Sequence, residues 1–518
     1  MSLLKSAATV GGLTLVSRVL GFARDQLVAF TLGTGFIAEA FFVAQRFPNL
    51  FRTLFAEGAF NSAFVPQFAR KIEGEGPQAA HKFAIDIFSV LLAWLLFFSA
   101  IAIIAMPLVI YLIAPGFSAD PDKRELAVDL TRICFPYLLF MSLTALQSGV
   151  LNSLHRFTAA AAAPILLNIV MILSNVVAWY FQTDNTAATG YIFAVGVSLA
   201  GVAQYALLAI ACRRAGMPLF PRLPKLTDDV KRVLLLSVPG IVSGGIMQIN
   251  LLIATMIATG IDHAVAFLYY AERLYQLPLG VIVVAIGVVL LPDLSRKLRA
   301  GNEQGAMHSA NRALELSLFL TIPAAVALMA IPVPILHTVF EHGAFTNEDT
   351  HEVARAVLAF AVGLPAYAMT KVFQPGFYAR EDTRTPMRFA IISAAINIVA
   401  SLVLSRWFGH VGIAVATSMA AWANALMLAV ALAGRGYYKP DDRLKTKLPR
   451  ILLSGLLMGG VLLGGTHLLA ANFQETAHFM ASLWALAVLV AGGIFAYFAL
   501  AHVTGAMTLS ELKAAVKR

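Results

Sequence analysis

Runs of about 20 apolar residues, the length at which a helix crosses a hydrocarbon core of about 30 Å, recur along the whole chain. At approximate limits they cover 7 to 30, 36 to 69, 84 to 113, 127 to 152, 159 to 181, 188 to 212 and 233 to 259. The second half adds 265 to 293, 313 to 336, 353 to 378, 387 to 407, 411 to 433, 450 to 470 and 479 to 503. Lipid offers backbone groups no partner, so runs of this length predict helices, and the chain reads as an all-α polytopic membrane protein with 14 transmembrane helices. Composition agrees: 59% of residues are hydrophobic, 13% are charged, and the mean hydropathy is +0.78. Arg18, Arg24 and Asp25 interrupt what a cleaved signal peptide would keep apolar, so the first run is expected to remain a helix. The second run would be about 50 Å long and must kink or project; Pro48 and Gly58 are natural break points.

Loop charge sets the orientation. Counted on alternate sides, 27 Lys and Arg fall on one side and only Lys123, Arg124 and Arg406 on the other. The positive-inside rule then places both termini in the cytoplasm. The net charge of +10 sits in these basic loops, which read as topology signals touching anionic lipid rather than as a nucleic-acid surface. Cys134 and Cys212 lie in or beside apolar runs and read as packing residues.

Shifting the chain by 226 to 229 positions lays Ala40-Phe41 on Ala266-Phe267, Pro66 on Pro292 and Arg70-Lys71 on Arg296-Lys297. It also lays Pro136 on Pro365 and Asn168-Ile169-Val170 on Asn397-Ile398-Val399. The expected organisation is an N-lobe over 1–220, a C-lobe over 221–434, and a linker with two further helices over 435–518. Six helices per lobe is an even number, so both lobes run in the same orientation, related by a pseudo-two-fold along the membrane normal.

The charges inside the runs carry the functional signal. Each arginine at mid-helix costs roughly 2.5 to 3.5 kcal/mol, so three deep ones oppose folding by about 8 to 10 kcal/mol, comparable to a whole protein's stability. Arg18, Arg24, Arg46 and Arg52 in the first two runs therefore point to a polar cavity handling an anion, with Asp25, Glu39 and Glu57 as nearby counter-charges. Arg18 and Asp25 are seven positions apart and share a helix face on which they can pair, with Arg24 pointing elsewhere. Arg46 follows Glu39 by seven on one face, so a simple pair is at least as good a reading as ligand contact.

Ser17-Arg18-Val19-Leu20-Gly21-Phe22-Ala23-Arg24-Asp25 resembles the start of the MurJ/MviN lipid II flippases of the MOP transporter superfamily. So do Glu39-Ala40-Phe41-Phe42-Val43-Ala44, Pro48-Asn49-Leu50-Phe51-Arg52 and Phe55-Ala56-Glu57-Gly58-Ala59-Phe60. Glu272-Arg273-Leu274 and Pro375-Gly376-Phe377-Tyr378-Ala379-Arg380-Glu381-Asp382, with Thr385-Pro386, extend the resemblance over nearly the whole chain. It implies two six-helix lobes around a central cavity, with the last two helices forming an apolar groove. The implied activity is outward movement of lipid II, the undecaprenyl-diphosphate-linked peptidoglycan precursor, across the bacterial inner membrane by alternating access. Arg18, Arg24, Arg52 and Arg273 match the family's essential cationic positions. The sequence departs at Glu39, where Asp is usual, and at Thr53, where relatives often carry a second Arg. A diphosphate suits guanidinium forks, which bind bidentately and keep their charge.

A MOP-type exporter of another lipid-linked oligosaccharide or of small cations is the alternative, and a small-cation exporter should have an acidic, arginine-poor cavity. A membrane-embedded enzyme on lipid-linked sugars would need a catalytic carboxylate or His; only the stretch from His337 to Glu352 offers one, and it reads better as a solvated loop than as a metal site. No Gly-Lys dipeptide occurs, so no P-loop is present. No cofactor is expected; membrane potential or an ion gradient remains as the energy source. Some relatives place sodium in the second lobe on acidic residues, yet the runs at 233 to 259, 387 to 407 and 411 to 433 hold no Asp or Glu. Expected partners are lipid II and membrane lipids, with no nucleic acid and a monomer as the functional unit.

Overall fold

The computed structural model describes residues 3–53, 60–474 and 477–507, and the described residues form α-helices joined by turns and short 3-10 segments. Contacts group the chain into two compact units, Met1–Ala266 with Gly343–Phe345, and Phe267–His342 with Thr346–Arg518. The helix after residue 221, which the repeat assigns to the second lobe, packs in the first unit.

Unit 1 contains α1 (Leu3–Leu32), α2 (Phe36–Arg52), α3 (Phe60–Glu75), α4 (Pro77–Ile104) and α5 (Met106–Ile113). It continues with α6 (Pro121–Cys134), α7 (Pro136–Ser153), α8 (Thr158–Tyr180), α9 (Ala187–Arg214) and α10 (Asp228–Ala258). α1 lies on α8, α8 and α7 on α9, α2 on α6, and α3 on α4, α7 and α10. Phe41, Phe64, Phe68, Phe88, Phe117, Phe135 and Phe193 fill the core, each removing a large apolar area from water or lipid contact. Close approach needs glycine at Gly116, where a Cβ would stand 2.0 Å from the Thr259 carbonyl oxygen. Gly33 adopts φ +57° with the Ala344 carbonyl where its Cβ would be.

Unit 2 contains α11 (Ala264–Arg299), α12 (Glu303–Ala330), α13 (Pro332–Val339), α14 (Asn347–Tyr378) and α15 (Arg384–Phe408). It ends with α16 (His410–Gly434), α17 (Asp442–Leu468) and α18 (Phe479–Val503). Polar N-caps set several helix starts: Asp120 accepts from Lys123 N–H, Asn302 from Gly305 N–H, and Asp441 from Leu444 N–H, while Thr346 and Asp349 form a capping box. α17 approaches α12 through Gly455 and Gly459, whose absent side chains leave room for Ile322 and Val326, the small-xxx-small device of membrane helices. The start of α17 is pinned by Glu315 of α12, which accepts from Arg443 at 3.0 Å and Lys447 at 3.2 Å and also pairs with Arg312.

Among the described residues, ten helices are long and apolar enough to cross a membrane, with α6 and α7 taken as one span. Several predicted runs are divided: 127 to 152 falls into α6 and α7 around Phe135, and 84 to 113 and 313 to 336 each break into a long helix and a short one. In the run at 36 to 69, helix α2 continues through buried Pro48 to Arg52, so Pro48 does not end it. Gly58 lies outside the described residues. α3 contains Pro66 and α11 contains Pro278 in their interiors.

Candidate functional site

On α1, Arg24 and Asp25 are both buried. The Arg24 guanidinium donates from Nη2 to Asp25 Oδ1 at 2.7 Å, from Nε at 3.1 Å, and from Nη1 to Asn168 Oδ1 on α8 at 3.1 Å. Asn168 in turn donates to the Ser17 carbonyl at 2.8 Å, closing a network between α1 and α8. This corrects the expected Arg18–Asp25 pair. Adjacent residues meet because the long guanidinium turns back over the short carboxylate, whereas Arg18 is exposed and has no hydrogen bond or ion pair among the described residues.

Glu39 is likewise placed differently. It is 1% exposed, pairs with Lys123 of α6, and accepts the Val265 N–H at 3.0 Å. Lys123 lies 4.5 Å over the Phe117 ring, so a residue read as a loop charge is a buried partner. Of the two readings for Arg46, the pair with Glu39 is not formed: Arg46 donates to Thr255 Oγ1 on α10 at 3.0 Å, beside a small apolar pocket lined by Val43, Phe47, Leu50 and Leu251. Arg52, at the C-terminal end of α2, donates to Asn49 Oδ1 at 2.8 Å and is half-buried. Glu57 lies outside the described residues.

In unit 2, the Arg273 guanidinium stacks 4.7 Å from the Tyr269 ring centre and donates to the Tyr269 hydroxyl at 3.1 Å, a cation–π clamp that orients the fork. Lys371, within the apolar stretch of α14, is exposed and makes no hydrogen bond or ion pair among the described residues. Lys371 lies outside the motifs, and Asn168 and Lys123 carried no local signal, since their partners are distant in the chain. The Arg380-Glu381-Asp382 motif proves structural. Arg380 stacks on Tyr437 at 4.1 Å, and Asp382 accepts from Thr385 and from Arg435. The Thr385 hydroxyl, then Arg435, hold the Asp382 carboxyl well below the usual carboxylate range.

The stretch from His337 to Glu352 is not a solvated loop. His337 Nδ1 lies 2.9 Å from Glu341, both buried, and Glu341 also accepts from Thr350 at 2.6 Å and Asn347 at 3.2 Å. No cluster of His, Cys, Asp or Glu suited to a metal occurs among the described residues. Asn397 Oδ1 has the Ser401 and Thr417 hydroxyls at 3.4 Å, a neutral oxygen set. Hard cations prefer carboxylate oxygen, so titrating the protein with sodium in a calorimeter is expected to give no sub-millimolar binding. A sub-millimolar isotherm lost on Asn397→Ala would refute this.

The sequence profile described as lipid II flippase MurJ matches residues 28–484. A probable lipid II flippase MurJ of Rhizobium meliloti (strain 1021) is 46% identical over 519 aligned positions, covering 100% of this chain and 97% of the relative. The lipid II flippase MurJ of Burkholderia cenocepacia is 35% identical over 487 positions, covering 92% of each. Among solved structures, lipid II flippase MurJ in an inward closed conformation superimposes with a TM-score of 0.78 at 25% identity, covering 95% of this chain and 98% of that one. An inward-facing multidrug MATE transporter of the MOP superfamily shares the fold, with a TM-score of 0.67 at 14% identity over 83% of this chain and 98% of that one. On this similarity, which runs nearly end to end, the chain belongs to the MurJ family of lipid II flippases.

Proposed function

We propose that this protein is a transporter that carries lipid II from the cytoplasmic to the periplasmic leaflet of the bacterial inner membrane by alternating access. The observation that carries the reading is the match to lipid II flippases over nearly the whole chain, and the resemblance of its motifs supports taking Arg18, Arg24, Arg52 and Arg273 as the family's cationic positions. In this reading Arg18, Arg52 and Arg273 bind the diphosphate, Lys371 adds charge, and Arg24 acts through its Asp25–Asn168 network, which shapes the α1–α8 face. α17 and α18 expose long rows of Leu and Val suited to a prenyl chain. Fourteen spans, repeats at 1–220 and 221–434, cytoplasmic termini and a monomeric working unit complete the proposal. The deciding experiment reconstitutes the protein with fluorescent lipid II in vesicles and follows its exposure to an impermeant reagent, with and without an imposed potential. No transfer above empty vesicles overturns the function.

The orientation has its own test. A cysteine at Glu348, exposed in the first turn of α14, should react with an impermeant thiol reagent from outside intact cells, while one at Lys225 should not. Reversed labelling would overturn the topology.

A further inference from the structure

Between α9 and α10 the chain reads Pro218-Leu219-Phe220-Pro221-Arg222-Leu223-Pro224-Lys225-Leu226, a proline every third residue. Each ring fixes φ near −65° and pushes the residue before it toward extended backbone, so Met217, Phe220 and Leu223 are constrained as well. Residues 217–227 accordingly adopt neither helix nor strand. A polyproline II strand has three residues per turn, which brings Phe220, Leu223 and Leu226 to one edge and Arg222 and Lys225 to another. The apolar edge is open: these three side chains are 52%, 85% and 62% exposed, while Met217 and Leu219 are buried.

Two hydrogen bonds set its course. His81 Nε2 meets the Pro218 carbonyl at 2.8 Å, and Arg222 N–H donates to Ser89 Oγ at 2.9 Å. On α4 those anchors are separated by about 12 Å, and Pro218 to Arg222 spans about 12 Å at 3.1 Å per residue, so the linker runs extended along α4. Ser89 lies five residues inside the apolar run that begins at 84, about 8 Å along the helix, so on the transmembrane reading the linker reaches the level where headgroups meet acyl chains. Arg213 covers the Phe220 ring at 5.6 Å, and Arg222 and Lys225 make no ion pair among the described residues. The nearby acids, Asp228 and Asp229, are engaged by Lys231 and Lys71.

We infer that this proline-periodic linker is a membrane-interface anchor: Phe220, Leu223 and Leu226 enter the cytoplasmic leaflet while Arg213, Arg214, Arg222 and Lys225 contact anionic lipid headgroups. Apolar side chains beside a basic cluster bind a bilayer edge by burial and charge together. The inference rests on the transmembrane reading alone, not on the identity of the cargo.

The test places an environment-sensitive NBD fluorophore on Leu223→Cys, and separately on Leu226→Cys, in full-length protein carrying Cys134→Ala and Cys212→Ala. Variants are accepted on an unchanged melting temperature and reconstituted in phosphatidylcholine vesicles with or without phosphatidylglycerol. Expected are blue-shifted emission, quenching by shallow-doxyl lipid and protection from iodide, each greater with phosphatidylglycerol, and loss of that preference in Arg222→Gln/Lys225→Gln. Iodide access equal to that of a label at Glu348→Cys, or lipid quenching indifferent to phosphatidylglycerol and to the Arg222 and Lys225 changes, overturns the proposal. Protection that appears only when a proline-recognising domain is added, without lipid quenching, also overturns it in favour of a protein partner. Lipid transfer is not read, so a failed flippase assay leaves this result standing.

Discussion

Arg52→Ala and Arg273→Ala are each expected to reduce lipid II transfer in proteoliposomes to near background and to leave the protein folded, whereas Arg24→Ala is expected to fail first in stability. A charge-assisted hydrogen bond contributes about 1.5 to 3 kcal/mol, so losing a two-pronged fork on the proposed diphosphate contact should weaken lipid II binding by about 100-fold or more. Both guanidiniums are only half-buried, and their bonds to Asn49 and to Tyr269 lie within single helices. Arg24 differs, because its guanidinium holds buried Asp25 and ties α1 to α8 through Asn168. Truncating one partner of such a buried pair costs about 3 to 5 kcal/mol, mostly the penalty of stranding the other charge. Asp25→Asn should therefore restore much of the melting temperature of Arg24→Ala without restoring transfer. Lys at 52 or 273 keeps the charge and loses the planar fork, so transfer should fall between Arg and Ala. Lipid II binding and melting temperature measured on the same variants decide the matter: unchanged binding with lowered stability in Arg52→Ala and Arg273→Ala would sink the diphosphate role.

Lys123→Met should lower the stability of unit 1 about as much as Arg24→Ala. It strands the Glu39 carboxylate, which is 1% exposed, with only the Val265 N–H among its two described partners left to solvate it. The cost is about 3 to 5 kcal/mol, and a thermal-shift assay in detergent reads it as a clear drop in Tm. Glu39→Met alone should be comparably harmful, since Lys123 then faces the Phe117 ring without its counter-charge. The double variant Glu39→Met/Lys123→Met should recover most of the loss, because a buried pair replaced by apolar groups of similar volume is often close to neutral. Additive losses in the double variant would show that each side chain matters for its own packing and not for the pair. Transfer measured on the recovered double variant then separates a stapling role from a transport role for Glu39.

The membrane class and the helical runs were legible from the chain alone, because a period-free apolar run of about 20 residues has one stable outcome in lipid. The family was legible in the motifs around Arg18, Arg24, Arg52 and Arg273, which resemble those of the MurJ/MviN flippases, while the cost of charge inside the first two apolar runs pointed separately to a polar cavity. Helix breaks were less legible. Phe135 and Pro136 divide one apolar run into α6 and α7, while Pro48 sits inside α2, because neighbouring side chains can support a backbone that a proline weakens. Charge pairing was decided only by tertiary structure. Helical spacing favoured Arg18 with Asp25 and Arg46 with Glu39, yet Arg24 closes on Asp25 and Asn168, and Glu39 on Lys123, 84 positions away. Spacing names which residues share a face of one helix; which partner lies opposite that face depends on the packing of another helix, and that information is spread over the whole chain.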